Sequence, residues 1–306
     1  MNVQTKNRRK IHLKLYSTST CFQHQPVFNS YSFCLIFVHI PIRYKEVIMK
    51  YTQGCYPIIS KTALAKEIYD MTILCPDAAQ AAQPGQFINI KVDGFMLRRP
   101  ISICGIDKEK GTLRIVFEVR GKGTKELSQL AEGDLIDIVA PLGGNGFKLD
   151  GYNKAVIIGG GIGNPPMVPI AEHFGANAKV ISGFRNSSAV ILQNDFAKTG
   201  AQTILCTDDG SAGRKGFVTD ALKEEIAKEK PDVIYACGPS VMLKKIVEIA
   251  RENGIKTQVS LEERMGCGIG ACLVCVCRTI RDGEEFYSHV CKDGPVFDGE
   301  EVNFDE

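Results

Sequence analysis

Residues 266–277 read GCGIGACLVCVC, which puts four cysteines and three glycines into a single short stretch. The spacing is Cys267-x4-Cys272-x2-Cys275, followed by Cys277 close by or by Cys291 on a later segment, YSHVCKDGPVF. Thiolates are soft ligands, and C-x4-C-x2-C with a distant fourth cysteine is the plant-type spacing for a [2Fe–2S] cluster. Gly266, Gly268 and Gly270 let such a loop curl with its amides turned toward sulfur. Structural zinc prefers paired C-x2-C knuckles, and here there is one. A disulfide framework belongs to short secreted chains, whereas the seven other cysteines of this one are scattered. The spacing leaves Cys277 and Cys291 as alternatives for the fourth ligand. VCVCRTI reads as a strand leaving the loop, while Cys291 lies on a separate returning segment able to close a cluster from the other side. Cys267, Cys272, Cys275 and Cys291 are therefore the expected ligands, with Cys277 a strand residue.

A second chemistry lies upstream. IIGGGIGNPP places Gly159, Gly160, Gly161 and Gly163 between a strand and a helix. There, glycine lets the backbone approach a pyrophosphate, and the free N–H groups of the helix start face it. The motif departs from GxGxxG, because prolines stand where its third glycine would be. YACGP brings Cys237, Gly238 and Pro239 to the carboxyl end of a strand, the edge where open α/β sheets bind ligands. Asp208 and Asp209 in TDDG follow another strand end and offer carboxylates to a ribose. Arg185 stands past the second strand, where a base could meet a 2′-phosphate, so these residues leave NADH and NADPH both open. In the N-terminal half, LRRPISI carries Arg99, with fixed donors for a phosphate, and Ser102, with a hydroxyl for a flavin. RGKGT, with Gly123 and Thr124, offers loop amides to a pyrophosphate.

The elements that hold these groups follow from periodicity. From Ile58 to Ala140 the runs KEIYDMTIL, GQFINIKV, PISICGID, TLRIVFEV and DLIDIVA read as short strands separated by Gly and Pro turns. That pattern suits a small barrel or a sandwich. GTKELSQLAEGD reads as a short helix ending near Gly133. From Lys154 the chain alternates buried strands with helices, which implies a parallel sheet covered on both faces. KTQVSLEERM is a last strand leading into the cysteine loop. The expected domains are residues 49–150, 151–257 and 258–306.

The bulk numbers narrow the class. A chain of 306 residues with 44% hydrophobic and 24% charged residues is a globular, multidomain protein. Its net charge of +2 gives no case for nucleic acid or an anionic membrane surface as partner. Residues 1–48 contain no glycine, and their apolar run FCLIFVHIPI is too short to span a bilayer. They are expected to be an extension outside the fold, disordered or not translated.

Taken together, Arg99-Pro100-Ile101-Ser102, Gly123-Thr124, Gly159 to Gly163, Cys237-Gly238-Pro239 and the cysteine loop make residues 51–306 similar to the ferredoxin–NADP reductase superfamily. Within it, the chain resembles the electron-transfer subunits of NAD-dependent, heterotetrameric dihydroorotate dehydrogenase. The resemblance implies an antiparallel FAD barrel, a central α/β NAD domain and a small C-terminal [2Fe–2S] domain. It implies FAD contacts at Arg99, Pro100, Ile101, Ser102, Val116, Phe117, Glu118, Gly123 and Thr124. Glu118 departs from expectation beside a flavin phosphate, since a basic or neutral residue suits that place better. The resemblance also puts the fourth cluster ligand at Cys291 and favours NAD+/NADH. It further implies an FMN-bearing catalytic subunit as partner, two of each chain, a cytoplasmic place in pyrimidine synthesis, and no catalytic base in this chain. The runner-up readings are an electron-transfer subunit of a related bifurcating or sulfur-reducing flavoprotein and a non-enzymatic zinc module.

Overall fold

The structure is a computed structural model that describes residues 51–144 and 146–305, so the expected extension at 1–48 lies outside the described residues. Six strands come first: β1 (Thr52–Ala65), β2 (Ile68–Leu74), β3 (Phe87–Ile90), β4 (Arg99–Asp107), β5 (Thr112–Glu118) and β6 (Leu135–Leu142). Helix α1 (Pro76–Ala81) follows β2, and α2 (Lys122–Leu127) follows β5. The strands close antiparallel in the order β1-β2-β5-β4-β3-β6, with β6 pairing back onto β1. Closure removes the exposed edges a sandwich would keep, and decides for a barrel. Alternation supplies the filling: Ile73, Ile88, Ile90, Ile103, Leu113, Ile115 and Phe117 all point inward and are at most 1% exposed. Burying each such side chain contributes about 1.5–3 kcal/mol.

Two sequence expectations shift. The long strand β1 begins at Thr52, ahead of the first run read as a strand, because it must reach both β2 and β6. Helix α2 stops at Leu127, and Gly133 instead makes a turn at φ +92°.

The second part alternates: β7 (Ala155–Gly160), α3 (Val168–Phe174), β8 (Ala178–Phe184), α4 (Gln193–Lys198), β9 (Gln202–Thr207), β10 (Arg214–Lys215), α5 (Val218–Lys228), β11 (Val233–Cys237), α6 (Ser240–Glu252) and β12 (Lys256–Ser260). The strands pair parallel in the order β10-β9-β8-β7-β11-β12. The order reverses between β7 and β11, so the crevice at their carboxyl ends is the switch point where such sheets take ligands. No helix among the described residues is long and apolar enough to cross a membrane.

After β12 the chain forms the cysteine loop, the hairpin β13 (Val276–Arg281) and β14 (Glu284–His289), and then β15 (Val296–Asp298). Strand β15 returns antiparallel onto β12 as the edge of the same sheet. The C-terminal segment is thus sewn into the parallel sheet at both ends, and β12 straddles residues 257 and 258. The barrel is tied to the sheet by Arg114 on β5, which pairs with Asp70 of β2 at 2.6 Å and with Asp195 of α4 at 2.5 Å.

Candidate functional site

The cysteine loop is a cradle of amides around sulfur. Cys267 Sγ accepts from the amides of Ala271 at 3.2 Å, Cys272 at 3.3 Å and Ile269 at 3.5 Å. Cys272 Sγ accepts from Cys267 N at 3.4 Å, and Cys291 Sγ from Gly270 N at 3.2 Å. Gly268 and Gly270 have φ of +73° and +80°, where a side chain is strained, and a Cβ on Gly270 would press on the Lys292 side chain at 2.7 Å. The thiols fall into two pairs, Cys267 with Cys272 and Cys275 with Cys291. Among the described residues no three His, Cys, Asp or Glu side chains converge on a single-ion site. Paired thiols in the C-x4-C-x2-C spacing fit a two-iron cluster.

The hairpin brings Cys291 there. Asp282 and Gly283, both at positive φ, make its turn, and the β13–β14 register sets Val276 opposite His289. One step further along the ladder, Val290 N donates to Cys275 O at 2.9 Å, which leaves Cys291 beside Cys275. Cys277 sits opposite Ser288 in β13, 8% exposed within the core below the loop.

The electrostatics differ between the pairs. Burial opposes ionisation of Cys267, but the amides of Ile269 and Cys272, the Cys272 thiol and the Ala271 amide outweigh it and bring the thiol down to about 6. Cys291 is pushed up to about 12, first by burial and then by the neighbouring Cys275. A bound cation would reverse that second effect, because metal binding takes the deprotonated thiol. The donor set, its pairing and the inward amides fit a [2Fe–2S] cluster.

A cavity of about 740 Å³ opens at the switch point, lined by Gly160, Gly161, Ile162, Gly163, Arg185, Asp208, Gly238, Pro239, Met242 and Glu262. The glycines are demanded by space. A Cβ on Gly163 would overlap the Cys237 carbonyl, and one on Gly160 would lie 2.7 Å from Met242 Sδ. Gly159 is paired with Cys237 across β7 and β11, which brings the glycine turn and the CGP turn side by side. Burial, Glu262 and then the opposing hydrogen bond from Ser260 leave the Cys237 thiol at about 12, so it stays neutral at ordinary pH. This geometry fits a dinucleotide whose pyrophosphate meets backbone N–H groups.

From the barrel, Ile68, Glu118 and Arg120 line the same cavity. Arg99 crosses Gly123 so closely that a Cβ there would overlap its guanidinium, and this brings RPIS against GT. Arg99 also donates to Leu97 O at 2.6 Å and lies 5.0 Å from the Phe95 ring centroid. Thr124 Oγ1 accepts from Arg120 N at 2.9 Å and Gly121 N at 3.2 Å, fixing the loop. Pro100 and Ser102 are half-buried on β4, and Ile101, between them, leans on the barrel core. Val116 packs toward the sheet domain. Phe117 turns its ring into the barrel against Tyr69, so only its backbone is offered to a ligand. Glu118 lines the cavity, but its carboxylate is paired with Arg120 at 2.7 Å. That pairing softens the mismatch of an acid near a flavin phosphate, and the site fits FAD. Sequence reasoning missed Asn89, Met242, Glu262 and Lys292 beside these sites, and the pairing of Arg120 with Glu118. Asn89 alone left a signal, as an amide in the otherwise apolar run FINI.

Residues 262–303 match the family described as the iron–sulfur cluster binding domain of dihydroorotate dehydrogenase B, and residues 157–248 match the oxidoreductase NAD-binding domain. Relatives named dihydroorotate dehydrogenase B (NAD(+)), electron transfer subunit, include one from Geobacillus thermodenitrificans, 42% identical over 254 residues, covering 80% of this chain and 96% of that protein. Another, from Listeria monocytogenes, is 41% identical over 253 residues, with 80% and 96% covered. A solved NADH-dependent reduced ferredoxin–NADP oxidoreductase, described for flavin-based electron bifurcation, superposes with a TM-score of 0.73 at 34% identity, covering 83% of this chain and 91% of that one. A cytochrome P450 reductase of Amycolatopsis, at 23% identity, TM-score 0.58 and 66% of each chain, shares the fold.

Proposed function

The chain belongs to the family of dihydroorotate dehydrogenase B (NAD(+)) electron transfer subunits, and from that membership we propose that it carries electrons taken from dihydroorotate in a separate catalytic subunit to NAD+, in pyrimidine biosynthesis. It is an NAD-linked oxidoreductase subunit whose cofactors are a [2Fe–2S] cluster, FAD and NAD+. The finer reading is that the catalytic subunit bears FMN, that two of each chain assemble, and that the complex works in the cytoplasm.

When bound, FAD supplies the exchange between the single electrons a [2Fe–2S] cluster passes and the hydride NAD+ takes. The chain's own residues do the positioning. Cys267, Cys272, Cys275 and Cys291 would hold the cluster, with the loop amides offsetting its negative charge and setting its potential. Arg99, Gly123 and Thr124 would hold the FAD phosphates. Pro100, Ile101 and Ser102, with the backbone of Val116, Phe117 and Glu118, would flank the rest of it. Gly160, Gly161 and Gly163 would let the dinucleotide pyrophosphate approach, with Gly238 and Pro239 beside it, while Gly159, where a Cβ would overlap Asn164, makes room for the turn itself. Neutral Cys237 is buried in the core beneath the turn and offers no nucleophile. Asp208 and Arg185 stand at the rim where a ribose would lie.

The observation that carries this reading is the cysteine cradle: two thiol pairs with five amides turned onto them. The test is iron, sulfide and flavin analysis of the purified chain, with an EPR spectrum after reduction. The expected result is about two irons, two sulfides and one FAD per chain; a colourless or zinc-bearing protein would refute it. The bifurcating reductase at 34% identity favours a second reading, an electron-transfer subunit of a related flavoprotein with another partner. Co-purification with an FMN-bearing subunit that oxidises dihydroorotate separates the two.

A further inference from the structure

Lys292 directly follows the proposed ligand Cys291, and its side chain lies over the cysteine loop. Its backbone is held on both sides. Lys292 N donates to His289 O at 3.0 Å, and its carbonyl oxygen packs on Gly144, just past the end of β6, where a Cβ would lie 3.2 Å away. From that fixed point the stem runs across Gly270: a Cβ on Gly270 would lie 2.7 Å from Lys292 Cδ, 2.9 Å from its Cβ and 3.1 Å from its Cγ. Gly270, at φ +80°, has no side chain to push the stem away.

Gly270 is also the residue whose amide donates to Cys291 Sγ at 3.2 Å. The ammonium lies two bonds beyond Cδ, which puts it within about 10 Å of that sulfur, a Debye length at moderate salt. From Met265 to Cys277 the loop has no charged side chain of its own. The carboxylate next to Lys292 in sequence is engaged elsewhere, since Asp293 Oδ2 accepts from His289 N at 2.8 Å. Among the described residues the Lys292 ammonium has neither an ion pair nor a hydrogen bond. Holding a long lysine stem in one place costs rotamer freedom that a lysine free in water keeps. Here that ordering lays an unneutralised cation on an otherwise uncharged loop.

We propose that Lys292 sets the cluster's potential: its ammonium, laid across Gly270, raises the reduction potential of the cluster held by Cys267, Cys272, Cys275 and Cys291. The inference rests on the reading of those thiols as a [2Fe–2S] site and goes beyond it. A cluster with four thiolate ligands carries net negative charge, and the one electron it accepts from the catalytic subunit adds to that charge. A nearby cation therefore stabilises the reduced form more than the oxidised one, and net charge is among the factors that set such potentials. The same electron leaves for FAD, so no bond forms or breaks at Lys292 and no proton moves. At about 10 Å, with the ammonium in contact with water, Coulomb's law gives about threefold in the reduction equilibrium per unit of charge.

The test uses the full chain with its cluster and flavin, as purified with its partner, in three variants that form a ladder of charge. Lys292→Arg keeps the cation, Lys292→Met keeps the stem over Gly270 and removes the charge, and Lys292→Glu reverses it. The readout is the cluster's potential, from a redox titration followed by EPR, with iron content, flavin content and NADH affinity measured beside it. Lys292→Arg should keep the wild-type potential. Lys292→Met should shift the reduction equilibrium about threefold toward the oxidised cluster, and Lys292→Glu about tenfold, which is ~59 mV for one electron. Iron, flavin and NADH binding should stay within about twofold, since no ligand is touched. A wild-type potential in Lys292→Met overturns the inference. So does an equal shift in all three variants, which would trace to stem packing, and so does a Lys292→Met chain without its cluster, which would make the charge a requirement of assembly. If Lys292→Arg or Lys292→Glu fails to hold iron, Lys292→Met decides alone. A wild-type chain that holds no iron would instead bring down the functional reading on which the inference rests.

Discussion

Replacing Cys291 and Cys277 by serine, one at a time, separates a ligand from a core residue. Cys291 is 2% exposed, accepts from Gly270 N at 3.2 Å and has the Cys275 thiol beside it. Serine there puts a short, hard hydroxyl in place of a soft thiolate, and the site loses one of the donors iron–sulfur clusters require. Iron should fall from about two per chain toward zero, with the EPR signal gone. Cys277 is also buried, at 8% exposure, but in the hairpin core. Serine at that position buries a hydroxyl, which costs about 1–3 kcal/mol. The lower end applies, because Ser288 lies directly opposite and already shares a 2.8 Å hydrogen bond with Thr279, so a polar strip is at hand. For a chain of this size about 1 kcal/mol lowers the apparent Tm by about 2–4 °C. Colorimetric iron and sulfide, EPR after reduction and a thermal scan read all of this from one preparation. Loss of iron in Cys277→Ser with retention in Cys291→Ser would show that the fourth ligand is the nearer cysteine and that the hairpin register misleads.

Three further outcomes are expected. Arg114→Met strips the partner from Asp70 and Asp195, whose side chains are 14% and 25% exposed. Partial exposure places the loss toward the lower end of the about 3–5 kcal/mol for a broken buried pair, and urea unfolding should recover much of it when both aspartates are also made apolar. A variant as stable as wild type would mean the tie between barrel and sheet is inert. Gly163→Ala drives a methyl into the Cys237 carbonyl and should weaken NADH binding at least about tenfold while iron and flavin content hold, as read by flavin-fluorescence titration. In the metal-free chain the Cys267 thiol lies below its ordinary value near 9, at about 6. Its thiolate therefore adds stability above the unfolded thiol's pKa, and that contribution is lost as pH falls through about 6. Alkylation of Cys267 by iodoacetamide should rise through about pH 6; an onset only near the ordinary thiol range would count against the amide cradle.

Much of this molecule was legible residue by residue, and the exceptions have a common cause. The cysteine loop, the glycine turn after β7 and the CGP turn after β11 are local devices, in which a few adjacent residues define both the chemistry and the backbone it needs. The strand runs of the barrel were legible for the same reason, since period-2 alternation is written in each run by itself. The bounds of the first strand escaped because along TQGCYPIISKTALA only Ile58 is buried, the rest being half-buried or exposed, so no sustained apolar period marks it. The short helix after β5 was overextended because its polar tail satisfies helix propensity while the Gly133 turn sets the boundary.

Sequence alone determined which chemistries the chain owns: a thiolate loop, two phosphate-approaching turns and an arginine on a strand. The tertiary structure decided which of those groups face one another. Phe117 goes inside the barrel and Asn89 outside it because pairing with distant strands chooses the face. Cys291 arrives beside Cys275 because the Asp282-Gly283 turn sets the hairpin register. Asn89 meets Cys267, 178 positions away, because the cysteine loop folds back over the barrel wall. Spacing along a chain constrains a loop of a dozen residues, but sheet register, which flips every side chain with a one-residue slip, exists only once the partner strand is in place.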